Sequence, residues 1–398
     1  MIKIGDLEID KFYLGDKNDA KIYLGDVKVW PQEEEPSEIY PYAFQRVSRG
    51  GSAYTVDCNS TSSNTVSSAD TQSGLSSSEI SGSTGNKTPV SVVFGDCCQT
   101  IGDSACRGLT YLSSVTISDN VTSLYRYSFY DTYRVEHLKI GSGITYMNSV
   151  FRNTGHSAST KPDLDLSANV GLKVDNGSFE YCYFNNMIFP NNCTLISGAC
   201  KYCSASTLSF GTGTIISDAG QYYSPFSICN ISNIDLNGVT KIGIKAFDRI
   251  SGFTSIIIPP SVTDFGSYAF SGASGLNSVT IDYASNATLG GNQFRDSSIT
   301  SLTIGSNPTR IPSRMFYGCT GLTSLVIPSN ISSIDNEAFS KCSGLTSVTV
   351  ESTTPPTLGS YVFNYTNCPI YVPPESVDAY KAASGWSSYA SRIQAIPT

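Results

Sequence analysis

The chain has 398 residues, of which 15% are charged, with a formal net charge of −8, 24 tyrosines, 12 cysteines and only 2 histidines. So weakly charged and acidic a chain has no electrostatic grip on nucleic acid or on an anionic membrane, and no apolar run approaches the length of a membrane span. Two histidines give little material for a Ser-His triad or a His-rich metal centre, so neither a metal nor a cofactor is expected.

The first thirty residues carry a ten-residue period, Gly5-Asp6, Gly15-Asp16 and Gly25-Asp26, each after an apolar residue and between short alternating runs. Glycine first in a two-residue loop suits a tight hairpin, so residues 1–31 are predicted to form a small β-meander. About thirty residues is too few for comfortable independent stability. The meander is therefore a candidate anchor that docks on a partner or pairs with copies of itself, through Phe12, Tyr13, Leu14, Ile22, Tyr23, Leu24 and Trp30. Residues 1–6 lack the charged and apolar regions of an export signal, which sets the expectation of folding in a cytoplasm.

Residues 32–38 read as an acidic, proline-bounded linker, and residues 39–88 as a Ser/Thr-rich spacer or N-terminal cap. Within them Tyr54-Thr55-Val56 is strand-like, while the polar run from Ser60 to Thr88 is expected to lie as a loose lid over the open strand edge that follows.

From residue 89 to 373 one short strand pattern, a-x-x-b-x-c, recurs thirteen times at a period of 21 to 23 residues, stretched to 26 in two places. The b slot reads Val92, Val115, Leu138, Leu164, Met187, Leu208, Ile234, Ile256, Val279, Leu302, Leu325, Val348 and Ile370; the c slot runs from Phe94 to Val372 and is apolar throughout. Residues two apart on a strand share a face, so b and c are predicted to point into a coil and their neighbours outward. A second apolar element, such as Ala246-Phe247, Ala269-Phe270, Met315-Phe316 and Ala338-Phe339, recurs half a turn later and is expected to close each coil from the other side. No single unit buries that face, whereas stacked neighbours do. The predicted fold is mainly β: a solenoid of about thirteen short-strand rungs, preceded by the meander and closed over residues 374–398 by a short helical cap. In that cap the period shifts to three and four around Val377-Asp378-Ala379-Tyr380, and Trp386, Tyr389 and Ile393 continue an apolar stripe.

The outward residues beside b are mostly Ser and Thr, as in Ser278 and Thr280. In the middle of the array they change to His137 and Lys139, Asp163 and Asp165, Asn186 and Ile188, then Asn233 and Asp235. With rungs about 4.8 Å apart these side chains would form a polar patch suited to sugar hydroxyls or a protein loop. The alternative is compensation, the cations facing the acids on the neighbouring strand. Tyr222 and Tyr223, inside a lengthened repeat, are candidate exposed recognition residues. Asp163 and Asp165 are also the one enzymatic option, as a carboxylate pair for glycan hydrolysis. The cysteines recur in fixed slots, Cys319 and Cys342 among them, and read as buried thiols rather than disulfides.

These residues resemble the BspA-type leucine-rich repeat, with a consensus similar to the segment Gly321-Leu322-Thr323-Ser324-Leu325-Val326-Ile327-Pro328 followed by Ile334 and Ala338-Phe339. The resemblance spans residues 89–398 and departs from the pattern at Cys106 and Cys200, which stand where Phe is usual. It implies surface display and adhesion to cells or matrix, and it supplies no catalytic residues. Less specifically, Lys11-Phe12-Tyr13-Leu14-Gly15-Asp16 and Lys21-Ile22-Tyr23-Leu24-Gly25-Asp26 resemble leader repeats of structural proteins from tailed phages of gut bacteria. Together these set the expectation of a non-enzymatic virion appendage. Its residues 1–31 would join other virion proteins, and its solenoid would bind a glycan or protein of the host surface. A bacterial cell-surface adhesin is the alternative and a glycan-degrading tailspike the third reading. A homo-oligomer stays open, with no heptad or collagen-like run to specify a trimer.

Overall fold

The computed structural model describes residues 90–397 apart from 97 and 220–223; before residue 90 it describes the backbones of strand segments only. The chain divides into two compact units, Met1–Pro190 and Asn191–Thr398. In each it winds as a parallel β-solenoid, with about 13 turns in all and few helices.

In the first unit Val90–Phe94, Leu112–Ile117 and His137–Lys139 pair in parallel, placing Val92, Val115 and Leu138 side by side. The open edge of Val90–Phe94 is covered by Ser52–Asp57, with Tyr54 opposite Val92, and that strand forms an antiparallel hairpin with Ala43–Ser48. The strand around Tyr54 thus covers that edge. Of the run starting at Ser60 only Thr65–Val66 is described, in parallel with Thr100–Ile101.

Two antiparallel hairpins form across Gly5-Asp6 and Gly25-Asp26, Ile4 facing Leu7 and Leu24 facing Val27. The first does not continue as a separate meander: Leu7–Ile9 and Phe12–Tyr13 both pair with Ala43–Ser48. An isolated hairpin exposes unpaired backbone groups, and the strand at 43–48 satisfies them within the chain. Of the anchor residues, Leu14 lies outside the described residues, and Phe12, Tyr13, Ile22, Tyr23, Leu24 and Trp30 are placed by backbone alone.

In the second unit Ser255–Ile258, Ser278–Ile281 and Ser301–Ile304 pair in register, and so do Ser324–Ile327, Ser347–Val350 and Ile370–Val372. Alternation along these strands buries b and c: Val279, Ile281, Leu325, Ile327, Val348 and Val350 are at most 1% exposed. Half a turn later the phenylalanines stack as a column. Phe226, Phe247, Phe270, Phe294, Phe316, Phe339 and Phe363 follow one another at centroid distances of 4.8 to 5.9 Å and interplanar angles of 2° to 13°. The first unit has its own column in Phe129, Phe151 and Phe179. Each ring buries an apolar side chain that stabilises by about 1.5–3 kcal/mol relative to exposure.

Two residues before most of these rings the backbone turns left-handed. Lys245, Tyr268, Arg314, Glu337 and Tyr361 have φ between 56° and 60°. This region costs a side-chain-bearing residue roughly 1–2 kcal/mol. The compensation is a set of hydrogen bonds between turns, in which the N–H of Glu337 donates to the Ser360 carbonyl and that of Arg314 to the Asn336 carbonyl. At Gly266 successive turns approach too closely for any side chain: a Cβ there would lie 2.5 Å from the Ile244 nitrogen.

The ten cysteines of the described residues are free and buried. Four thiols share one role, donating to a carbonyl of the preceding turn: Cys182 to Phe151 at 2.7 Å, Cys229 to Cys200 at 2.9 Å, Cys319 to Phe294 at 3.3 Å and Cys342 to Phe316 at 3.1 Å. Burial pushes the Cys342 thiol up to about 12. At mildly alkaline pH almost none of it is the reactive thiolate. We expect the folded protein to leave Cys319 and Cys342 unmodified by iodoacetamide over hours and to label both fully in guanidinium. Rapid labelling of either in the folded state would contradict their place in the core.

The array closes with a 3₁₀ turn Pro374–Ser376, an α-helix Val377–Ala382 and a second 3₁₀ segment Trp386–Arg392. The apolar stripe does not stay helical to its end: Ile393–Ala395 becomes a strand that pairs in parallel with Ile370–Val372. Trp386 is fully buried and its Nε1–H donates to the Pro356 carbonyl at 2.8 Å.

Candidate functional site

Leu138 and Leu302 depart from the b slot rule, for both are half-buried instead of buried, and Ile234 is 6% exposed where Val279 and Val348 are 0%. The three share one circumstance. Among the described residues each lies on a strand that the next strand of the face does not join: His137–Lys139 before Leu164–Asp165, Asn230–Asp235 before Ser255–Ile258, and Ser301–Ile304 before Ser324–Ile327. Where the ladder stops, the side chain loses cover on one side.

At the first break one bond of the repeat cannot form. The N–H of Glu136 donates to the Ser113 carbonyl, and the N–H of Asn185 donates to the Pro162 carbonyl. The equivalent bond from residue 162 back to residue 136 is missing because proline has no N–H. A lengthened loop fills the position. Ser159 donates to Glu136 Oε1 through its N–H at 3.1 Å and through its hydroxyl, and the hydroxyl bond is the main reason that the Glu136 carboxyl is held below the usual carboxylate range. Lys161 turns its ammonium inward, donating to the carbonyls of Gly155, His156 and Ala158 at 3.0, 3.1 and 3.2 Å. The same ammonium lies 5.2 Å from the centre of the Tyr183 ring, against which His156 packs edge-on at 4.8 Å.

The result is a groove of about 410 Å³ inside the first unit. It is lined by Ser114, Val115 and Thr116, by Glu136, His137, Leu138 and Lys139 of the paired strand and the residue before it, and by Thr160, Lys161, Asp163 and Asn185. The expected face-to-face compensation does not form: no ion pair joins His137 or Lys139 to Asp163 or Asp165 among the described residues. Asp163 Oδ1 instead accepts from Asn185 Nδ2 at 3.0 Å and from Asn186 N and Nδ2 at 3.1 and 2.8 Å. Asp165 turns away to accept the Ser167 N–H at 2.9 Å. The Lys139 side chain is exposed and makes no hydrogen bond or ion pair among the described residues.

Of the sequence-predicted patch, the structure brings His137, Lys139 and Asp163 to this groove, with Asn186 bonded to Asp163. Asn233 and Asp235 lie in the second unit, opposite Thr207 and Ser209, where Asp235 Oδ1 accepts the Asn237 N–H. Tyr222 and Tyr223 fall outside the described residues. Sequence reading missed Glu136, Thr160, Lys161 and Asn185. The available signal was the 26-residue step from 135 to 161 with a proline at its end. Among the described residues no group of three or more His, Cys, Asp or Glu side chains is arranged to hold a metal, and no helix is long and apolar enough to cross a membrane.

A parallel solenoid with apolar b and c slots, a phenylalanine column and buried thiols that bond the preceding turn defines a leucine-rich repeat protein. The BspA type leucine rich repeat region matches residues 85–163, 172–299 and 287–383, and the chain belongs to that family. Solved structures similar to it include a leucine-rich repeat protein from Bacteroides ovatus, with 16% identity, a TM-score of 0.44, and 92% of this chain and 100% of that chain covered. A leucine rich cell surface protein from Faecalibacterium prausnitzii is also similar, with 16% identity, a TM-score of 0.28 and coverage of 91% and 100%. A third is the pneumococcal vaccine antigen PcpA, with 12% identity, a TM-score of 0.31 and coverage of 92% and 100%. No curated protein matches the chain. The family match bears on the array; none of these comparisons supports the virion resemblance of residues 11–26.

Proposed function

We propose that this chain is a non-enzymatic adhesin of the cell surface, with the groove beside His137–Lys139 as its recognition site. The observation that carries this reading is the coincidence, at one place, of a broken ladder, a half-buried Leu138, an unpaired Lys139 and a cavity of about 410 Å³. Elsewhere the strand face is lined largely by Ser and Thr, which offer little to bind. Membership in the BspA-type family supports surface display. Engagement of Asp163 and Asp165 in hydrogen bonds of their own favours recognition over hydrolysis. The test is adherence of the full chain, fixed to beads, to bacterial cells, epithelial cells and extracellular matrix. The triple variant His137→Ala/Lys139→Ala/Thr160→Ala is expected to lose about tenfold in adherence, equivalent to about 1.4 kcal/mol, while melting like the parent. Undiminished adherence would refute the groove as the site.

Attachment of residues 1–31 to a virion is the second reading. It is favoured by the hairpin Ile22–Leu24/Val27–Trp30, which pairs with no other strand among the described residues. Particles that incorporate a chain lacking residues 1–31 as well as the full chain would remove it.

A further inference from the structure

We infer that the groove takes a saccharide carrying a carboxylate, a deepening that rests on the adhesin reading above. The polar groups of the groove divide into those already used and those left over. Glu136 is occupied by Ser159, Asp163 by Asn185 and Asn186, and the ammonium of Lys161 by three carbonyls, one for each of its protons. Lys139 acts at a distance on Asp119, whose Oδ1 already accepts the N–H and hydroxyl of Ser142 at 2.8 and 3.0 Å. The leftover groups are therefore the ammonium of Lys139, the imidazole of His137, and the hydroxyls of Ser114, Thr116 and Thr160.

His137 and Lys139 are two residues apart on one strand, so they stand on the same face about 7 Å from each other. Glu136 and Asp163 keep their charge and are matched in number by Lys161 and Lys139; of these four groups only the Lys139 ammonium has no hydrogen-bond partner among the described residues. An exposed ammonium selects a ligand carboxylate, and three free hydroxyls suit a ligand rich in hydroxyls. The half-buried side chain of Leu138 gives a small apolar surface for the C–H face of a sugar ring. The volume lies at the small end of the range for small-molecule sites, which fits a short sugar rather than a folded protein surface.

Titration calorimetry of the full chain with digalacturonic acid, and with digalactose as its uncharged counterpart, tests this. The acidic disaccharide is expected to bind at least about tenfold more tightly than the neutral one, a preference that falls with added salt. Lys139→Gln should abolish the preference for the acidic ligand, Lys139→Arg should keep it, and Lys381→Gln in the C-terminal helix should change neither affinity. Equal affinities, no binding of either disaccharide, or an unaltered preference in Lys139→Gln would overturn the inference. Failure of both sugars together with loss of adherence in the triple variant would leave the adhesin reading standing and point to an acidic protein segment. Undiminished adherence in that variant would remove the groove as the recognition site.

Discussion

Phe316→Ala is expected to destabilise the second unit by about 3–5 kcal/mol, the cost of emptying a buried aromatic site. Phe316 is fully buried between Phe294, at 5.5 Å, and Phe339, at 5.4 Å, in nearly parallel planes. The space cannot close around an alanine, because hydrogen bonds of Phe294 N–H to Met315 and of Phe316 N–H to Ala338, at 2.9 and 3.0 Å, fix the separation of the turns. The Cys342 thiol, which donates to the Phe316 carbonyl, loses packing from the same deletion. Phe316→Leu keeps most of the volume and is expected to cost less than about 1.5 kcal/mol, provided that the neighbours repack. Urea unfolding followed by circular dichroism distinguishes the two. A Phe316→Ala protein within about 1 kcal/mol of the parent would mean that the column is not the core.

Trp386→Ala is expected to have an effect of similar size but a different location. Trp386 packs edge-on against Tyr380 at 5.0 Å and covers the end of the phenylalanine column at Phe363, 6.2 Å away. Tyr380 in turn donates its hydroxyl to the Ser352 carbonyl at 2.7 Å. Loss of the indole removes about 3–5 kcal/mol of packing, and the Pro356 carbonyl loses its donor, a further penalty of about 1–3 kcal/mol if water does not reach it. In a stack held by nearest-neighbour contacts the damage stays near the end that loses its cover. Amides of Ser347–Val350 and Ile370–Val372 should exchange much faster in this variant, while those of Ser278–Ile281 should keep their protection. Trp386→Phe retains the packing and should show only the hydrogen-bond part of the loss. Uniform loss of protection along the unit would argue against a local cap.

The rungs were legible because their signal is apolar and periodic. Val279 and Ile281 announce a buried strand face by alternation, and Phe270, Phe294 and Phe316 announce the opposite wall by recurrence at the repeat length. The groove was legible in part. His137, Lys139 and Asp163 stood out against a Ser/Thr background, but a pattern of residue types does not say whether neighbouring strands pair. Leu138 and Leu302 carry the same b signal as Val279, and only the interrupted ladder exposes them. Pro162 was readable as a missing donor only once its partner carbonyl at Glu136 was known. The left-handed turns at Glu337 and Tyr361 were invisible because neither residue is a glycine or asparagine; tertiary hydrogen bonds override their preference. The strand at Ile393–Ala395 was hidden by an apolar stripe that fits a helix as well.

Hydrogen–deuterium exchange of the full chain, free and bound to a surface to which it adheres, tests most directly whether recognition resides where the ladder breaks. The account predicts that binding protects amides within residues 114–116, 136–139 and 159–163 and leaves Ser324–Ile327 and Ser347–Val350 unchanged. Protection confined to residues 345–398, or to the strands of residues 1–30, would contradict it.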